Sequence, residues 1–270
     1  MPGRVTAIQL EKLIQTGREK AFLIVDVRKP EEYRLNHIPG AVNIPIADIE
    51  FHPFVYDEKR RIIFYCHAGR RSKVASLIAE EAGLAGEKIF NLDGGMMGYS
   101  GEILLDIPKV EIFSRDLSPA GVMEKAINLE KGAYLFYQEA KDFFTGTRVH
   151  PVMEKMLNAE KGHARSIFKV LDGQEPCSMS FIEFFDFCPG DILEGGKTLD
   201  QIQRFLGQVK PEDKIDILDF ALDLEFSAYD LYKTMTVQSS DIEIKEMFFS
   251  LAEAEKQHMT EIIECLDLCD

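Results

Sequence analysis

The sequence predicts two domains of different class: an α/β domain with a parallel sheet over residues 1–108 and an all-α four-helix bundle over residues 119–270, joined by a linker at 109–118. Three observations predict this. In the first part, short apolar runs alternate with a helical pattern. In the second, the chain repeats itself at a fixed offset of 95 residues. Between the two, the composition breaks at Asp106-Ile-Pro-Lys-Val and again at Ser118-Pro-Ala. A chain of 270 residues is long enough for two separate cores.

The α/β elements follow in order. Ala21-Phe-Leu-Ile-Val-Asp-Val, Arg61-Ile-Ile-Phe-Tyr-Cys and Ile89-Phe-Asn-Leu are apolar runs long enough for buried parallel strands. Between the last two, Ser72 to Gly83 has the apolar spacing and terminal glycine of a helix. Such alternation argues for helices covering a parallel sheet.

The bundle opens at Pro119, which suits the first helical turn with Ser118 as its cap. The repeat that follows carries metal-ligating residues. Glu130 corresponds to Glu225, Glu160 to Glu255, and His163 to His258. The flanks agree as well: Ala126-Ile-Asn-Leu-Glu matches Ala221-Leu-Asp-Leu-Glu, and Ala159-Glu-Lys-Gly-His matches Ala254-Glu-Lys-Gln-His. Residues three apart lie about 60° apart around a helix, so each Glu-x-x-His points both side chains into one interior. The thirty-residue interval is one long helix, a turn and part of the next, with turns at Thr145–Pro151 and Gln238–Asp241. Four buried carboxylates are unfavourable unless cations neutralise them. Four carboxylates and two imidazoles are what two adjacent iron or manganese ions need. The plainer alternative, incidental surface Glu and His, does not account for the duplication among Ala, Leu and Tyr.

Charge follows the same division. The net charge of −15 splits into −1 over residues 1–108 and −14 over the remainder. So acidic a chain argues against a nucleic-acid partner. No apolar stretch approaches bilayer length, which argues against a membrane partner, and the N-terminus lacks a secretion signal. Five cysteines (66, 177, 188, 265 and 269) make no even framework, so a reducing, cytoplasmic location is expected. Cys265 and Cys269 share a helix face and are expected to be structural, while Cys177 and Cys188 fall among Phe181, Phe184, Phe185 and Phe187 in a packed crossover or dimer contact.

Cys66 stands where the second apolar run ends, followed by His67, Ala68, Gly69, Arg70 and Arg71 and then the helix. A thiolate there would meet loop amides, a helix N-terminus and two guanidinium groups, all of which favour negative charge. Gly69 would let the loop curl around the sulfur. A buried core cysteine is the alternative, but it does not call for a glycine and two arginines just after it. His67 either assists proton transfer or faces solvent.

Two resemblances attach to these residues. Asp26-Val-Arg, Glu32-Tyr, His37-Ile-Pro-Gly-Ala-Val-Asn-Ile-Pro, Cys66-x-x-Gly-x-Arg-Ser and Leu92-Asp-Gly-Gly-x-x-x-Tyr resemble a single rhodanese domain over about residues 4–106. That likeness implies that Cys66 is a sulfur-accepting nucleophile and that residues 66–71 form the active loop. Arg70 and Arg71 would hold an anionic small-molecule sulfur donor, with a thiol as acceptor. Leu-Glu-x-x-Ala-Tyr-x-x-Tyr and Ala-Glu-x-x-His resemble the ferritin-like di-iron bundle of the rubrerythrin family over about Leu117 to Asp270. It implies Glu130, Glu160, Glu225, Glu255, His163 and His258 as ligands of two iron ions; carboxylate-rich ligands also admit manganese or zinc. Tyr137 and Tyr232, seven residues past the lone glutamates, are candidates to hydrogen-bond a carboxylate, or ordinary core tyrosines. Rubrerythrins carry a further carboxylate one turn after the third-helix glutamate, where this chain has Ala228, and usually a rubredoxin site, yet there is no Cys-x-x-Cys here. An external electron donor is therefore expected, and a homodimer by precedent.

Together these readings point to a bifunctional sulfurtransferase and di-iron oxidoreductase acting on peroxide or oxygen. The alternative is a sulfurtransferase whose bundle stores or senses metal, or supports a dimer.

Overall fold

The structure is a computed structural model that describes residues 2–51, 60–113, 117–210 and 213–267. Cys269 lies outside the described residues. The chain divides into two compact units: Met1–Pro108 with Tyr232–Val237, and Lys109–Leu231 with Gln238–Asp270.

The first unit is built on a five-stranded sheet. In chain order it runs β1 (Gly3–Val5), α1 (Ala7–Thr16), β2 (Phe22–Asp26), α2 (Pro30–Leu35), β3 (Ala41–Asn43), β4 (Arg61–Tyr65), α3 (Arg70–Glu81) and β5 (Ile89–Leu92). Strand order is β1-β5-β4-β2-β3, and every pair is parallel. All of β2 and all but the first residue of β4 are buried, which is why both read as unbroken apolar runs. Leu23, Val25, Ile62, Phe64 and Ile89 pack against Ala75 and Ala79 of α3. The three-residue strands β1 and β3 are too short to show a pattern in the sequence.

At the C-terminal end of β2, buried Asp26 accepts from Arg28 Nε and Nη2 at 2.7–3.0 Å. Arg28 Nη2 also donates to the Asn36 carbonyl at 2.6 Å. A buried carboxylate and guanidinium are tolerable only when matched in this way. The pair thus ties the chain leaving β2 to the end of α2.

The second unit is helical. It contains α4 (Pro119–Phe143), α5 (His150–Gln174), α6 (Phe181–Phe187), α7 (Leu199–Leu206), α8 (Ile215–Gln238, apart from the Tyr232–Val237 stretch grouped with the first unit) and α9 (Ile242–Asp267). The Ser118 hydroxyl accepts from the Gly121 N–H at 3.1 Å, capping α4 with Pro119 in its first turn. Phe136, Tyr137, Met153, Met156, Leu218 and Ile262 share one core. Phe113, within the 109–118 segment, meets Phe248 of α9 edge-on at 5.5 Å. Cys188 and Phe185 are buried at the end of α6, and Phe181 packs on Phe168 of α5. No described helix is long and apolar enough to cross a membrane.

Candidate functional site

The structure gathers chemistry-bearing side chains at two places, one in each unit. In the first, β4 delivers Cys66 to the sheet's C-terminal edge and α3 starts four residues later. Gly69 sits at φ 79° and turns the loop into the helix, a conformation that favours glycine. The helix begins at Arg70, two residues before its apolar pattern, because a first turn with no inward apolar residue leaves no periodic signal. The Ser72 hydroxyl, fully buried, donates to Cys66 Sγ at 3.4 Å. Burial pushes the Cys66 thiol up. The Ser72 hydroxyl and the backbone N–H groups of Ser72, Ala68 and Arg71 outweigh it and hold the pKa below that of an ordinary thiol. Cys188 moves the opposite way, pushed up to about 11 by burial. Of the two, Cys66 loses its proton more readily.

This geometry carries an expected result for Ser72→Ala. Alkylation of Cys66 by iodoacetamide, followed against pH, should reach half its plateau at higher pH than in the wild type, because a donor to the thiolate is gone. An unchanged profile would show that the loop amides alone set thiolate formation.

His67, Ala68 and Arg70 are exposed at the loop rim. Arg71, expected to hold the donor together with Arg70, is paired with Glu32. Its Nη1 and Nη2 donate to Glu32 Oε2 and Oε1, both at 2.7 Å. The bidentate pair holds the Glu32 carboxyl down at about 2. Glu32 thereby braces the arginine beside the thiol, leaving Arg70 the more accessible cation of the two. Glu32 stood in the sequence as part of a motif, but nothing there tied it to a residue 39 positions on.

The loop also leans on Gly94 and Gly95, at φ 75° and 56°. Met96 N–H donates to the Cys66 carbonyl at 2.9 Å and Met97 N–H to that of His67 at 3.0 Å. A Cβ on Gly95 would lie 2.1 Å from the Cys66 carbonyl oxygen and 2.9 Å from Gly69 N. Gly95→Ala is expected to destabilise the protein by at least about 1 kcal/mol through backbone strain alone and to lower Cys66 reactivity in step. Denaturant unfolding alongside the alkylation rate checks both, and unaltered values would mean the loop yields freely.

The second place lies among α4, α5, α8 and α9. Glu130, Glu160, Glu225, Glu255 and His258 are buried, and His163 is nearly so. His163 Nδ1 lies 3.2 Å from Glu130 Oε2, 3.3 Å from Glu160 Oε2 and 3.8 Å from Glu255 Oε1. His258 Nδ1 lies 3.0 Å from Glu225 Oε2, 3.0 Å from Glu255 Oε2 and 3.4 Å from Glu160 Oε1. The imidazoles stack with centroids 5.0 Å apart. All six sequence-predicted ligands therefore converge. Among them Glu160, His163, Glu255 and His258 each place one donor atom within 4.8 Å of the others.

Burial raises the Glu160 carboxyl to about 7 and Glu255 well above the usual range. For the imidazoles burial acts downward, but Glu130, Glu160 and Glu255 around His163, and Glu225, Glu160 and Glu255 around His258, raise both well above normal. Protons here supply the positive charge that carboxylates in low dielectric demand. The donor set fits metal ions too. Nitrogen and oxygen ligands about 2.1 Å from a shared ion stand roughly 3 Å from one another in octahedral arrangement, close to the spacings above.

Tyr137 donates a hydrogen bond to Glu225 Oε1. Tyr232 is fully buried. A further buried carboxylate had no signal in the sequence: Glu194, between α6 and α7. It is buried, and its carboxyl is raised well above normal by burial and by the nearby charges of Glu130 and Glu160. It lies in irregular chain without helical periodicity, so no pattern singled it out. Cys177 is partly buried, and Cys265 is buried.

Comparison with known proteins bears on the first unit. The family model for the rhodanese-like domain matches residues 6–102. YtwF of Bacillus subtilis is 32% identical over 98 residues, covering 36% of this chain and 90% of that protein. The chain belongs to the rhodanese-like family. The human thiosulfate:glutathione sulfurtransferase is 30% identical over 98 residues, covering 31% of this chain and 83% of that protein. YrkF of Bacillus subtilis is 34% identical over 99 residues, 36% of this chain, and the chain spans about half of its length (52%). The rhodanese match includes Cys66, Glu32, Ser72 and Gly95 and ends ahead of α4.

Proposed function

We propose that this protein is a sulfurtransferase whose helical region is a ferritin-like four-helix bundle of rubrerythrin type, holding two metal ions for reduction of peroxide or oxygen. The sulfur half is carried by Cys66, a thiol of lowered pKa cradled by loop amides and Ser72. The names of relatives agree, since one is a thiosulfate:glutathione sulfurtransferase. In the proposed step the Cys66 thiolate attacks the outer sulfur of thiosulfate. A sulfur–sulfur bond forms as the bond to the sulfonate sulfur breaks, and sulfite leaves with that electron pair. The resulting persulfide gives its outer sulfur to a thiol, regenerating the thiolate. Amides of Ala68, Arg71 and Ser72 stabilise negative charge on sulfur throughout. Arg70 meets the anionic donor, and Arg71, braced by Glu32, adds positive field at the loop.

The metal half is carried by the convergence of four carboxylates and two imidazoles on one buried spot. Glu130 with His163 and Glu225 with His258 would each serve one ion, with Glu160 and Glu255 reaching both imidazoles. Iron is the metal proposed, with manganese or zinc as the other candidates, and bound iron would supply redox chemistry toward peroxide or oxygen. Tyr137 orients Glu225, and the buried core excludes bulk water from the cage. An external electron donor and a homodimer belong to this reading, and so does a cytoplasmic location. The test is a double assay of the whole chain: sulfur transfer from thiosulfate to cyanide, and metal content of protein purified without air. Absence of transfer would remove the first half, and failure to take up divalent ions the second.

A further inference from the structure

The segment between α6 and α7 folds back on itself. The Leu193 N–H donates to the Lys197 carbonyl at 2.9 Å, Gly196 N–H to Leu193 at 2.8 Å, and Leu199 N–H to Asp191 at 3.0 Å. Ile192 and Thr198 form an isolated bridge, and Gly196 takes φ 74° at the tip. This closed turn is clamped to α4 on either side of Glu130. Two residues before it, Asn128 Nδ2 donates to Asp191 Oδ1 at 2.8 Å and Asn128 Oδ1 accepts from the Gly190 N–H at 2.9 Å. Two residues after it, Gly132 lets the turn close in: a Cβ there would sit 2.6 Å from the Ile192 carbonyl oxygen and 3.1 Å from Leu193 Cγ. On its other side the turn meets α8, where a Cβ on Gly195 would be 3.3 Å from Ser227 Oγ, two residues past Glu225.

Glu194 is therefore inserted between α4 and α8 at the level of Glu130 and Glu225. It is 3% exposed, with Glu130, Glu160 and Glu225 all within electrostatic reach. Packing alone does not account for a carboxyl here. The neighbouring Leu193 fills its site as a fully buried apolar side chain, whereas a fourth carboxyl beside three others is unfavourable unless positive charge is supplied. Two divalent ions would supply it.

We propose that Glu194, delivered by the turn between α6 and α7, is a seventh protein ligand of the di-metal cage on its α4/α8 side. This rests on the reading of the cage as a metal centre. It makes the crossover a structural part of that centre, because Asn128, Gly132 and Gly195 fix the turn against the helices that carry Glu130 and Glu225.

The experiment is anaerobic titration of the full-length protein with Co(II), read by isotherm and by the cobalt visible absorption. Wild type is expected to bind two ions. Glu194→Gln, which keeps shape and removes charge, is expected to weaken at least one of them by about tenfold or more and to change the visible band. Glu194→Asp is expected to fall between. Circular dichroism of the metal-free variants checks folding, and if the glutamine variant does not fold, the aspartate variant decides by the same two readouts. A variant with the wild-type isotherm and spectrum overturns Glu194 as a ligand while leaving the cage intact. Wild type that binds no Co(II) overturns the cage itself.

Discussion

Cys66→Ser is expected to lower thiosulfate:cyanide sulfur transfer by at least about a thousandfold, since loss of an essential nucleophile leaves only binding and electrostatic assistance. The hydroxyl fits the space of the thiol, so Ser72 and the loop amides keep a partner and the fold should be undisturbed. The oxygen is not ionised at neutral pH and forms no stable persulfide analogue. Two readouts separate this from a general defect. Metal content of the variant should match wild type, and mass spectrometry after thiosulfate treatment should detect a 32 Da adduct (about the mass of one sulfur) on wild type alone. Retained turnover in the serine variant would shift the sulfur-accepting role to another thiol, of which Cys177, Cys188 and Cys265 are the described candidates.

Glu160→Gln is the second large effect, and its sign depends on metal. Glu160 approaches both imidazoles, 3.3 Å from His163 and 3.4 Å from His258. In wild type, Fe(II) at about a hundred times its Kd should stabilise the helical region by at least ~2.7 kcal/mol through mass action. The variant should lose most of that gain, together with any peroxide-dependent change in iron absorption. Metal-free, the same variant should lose far less, because a carboxyl held unfavourably by burial has become a neutral amide. Thermal unfolding with and without Fe(II), under argon, measures both. Equal metal-induced shifts in the two proteins would refute Glu160 as a ligand.

The parts legible in advance share a physical property: their signals lie close together along the chain or recur at a fixed interval. Strands β2 and β4 are buried on both faces, so they read as apolar runs whatever their neighbours. The cage residues stand at one offset because two helix pairs must present like groups from opposite sides. The Cys66 loop was legible because its glycine and cations are consecutive. Helix α4 was legible to its first residue, since Ser118 and Pro119 are local signals.

What stayed hidden depends on distance along the chain. The Arg71–Glu32 pair joins the first turns of α3 and α2, and a bidentate contact leaves no periodic trace. Gly95 stands in the Leu92-Asp-Gly-Gly motif, but its approach to the Cys66 carbonyl is seen only in the structure. Glu194 sits in an irregular turn with no counterpart in the repeat.

By itself, then, the sequence determined which side chains gather and on which elements: Cys66 with its loop, and four carboxylates with two imidazoles. Local propensity and periodicity suffice for that, because they act within a few turns of helix or strand. Only the tertiary structure decided who partners whom: Ser72 with the thiol, Glu32 with Arg71, Tyr137 with Glu225, and Glu194 with the helices bearing Glu130 and Glu225. For the buried groups those choices follow from burial, which makes an unmatched charge unfavourable and so selects its neighbour from any point in the chain; the partly exposed Glu32–Arg71 pair is selected by its bidentate geometry.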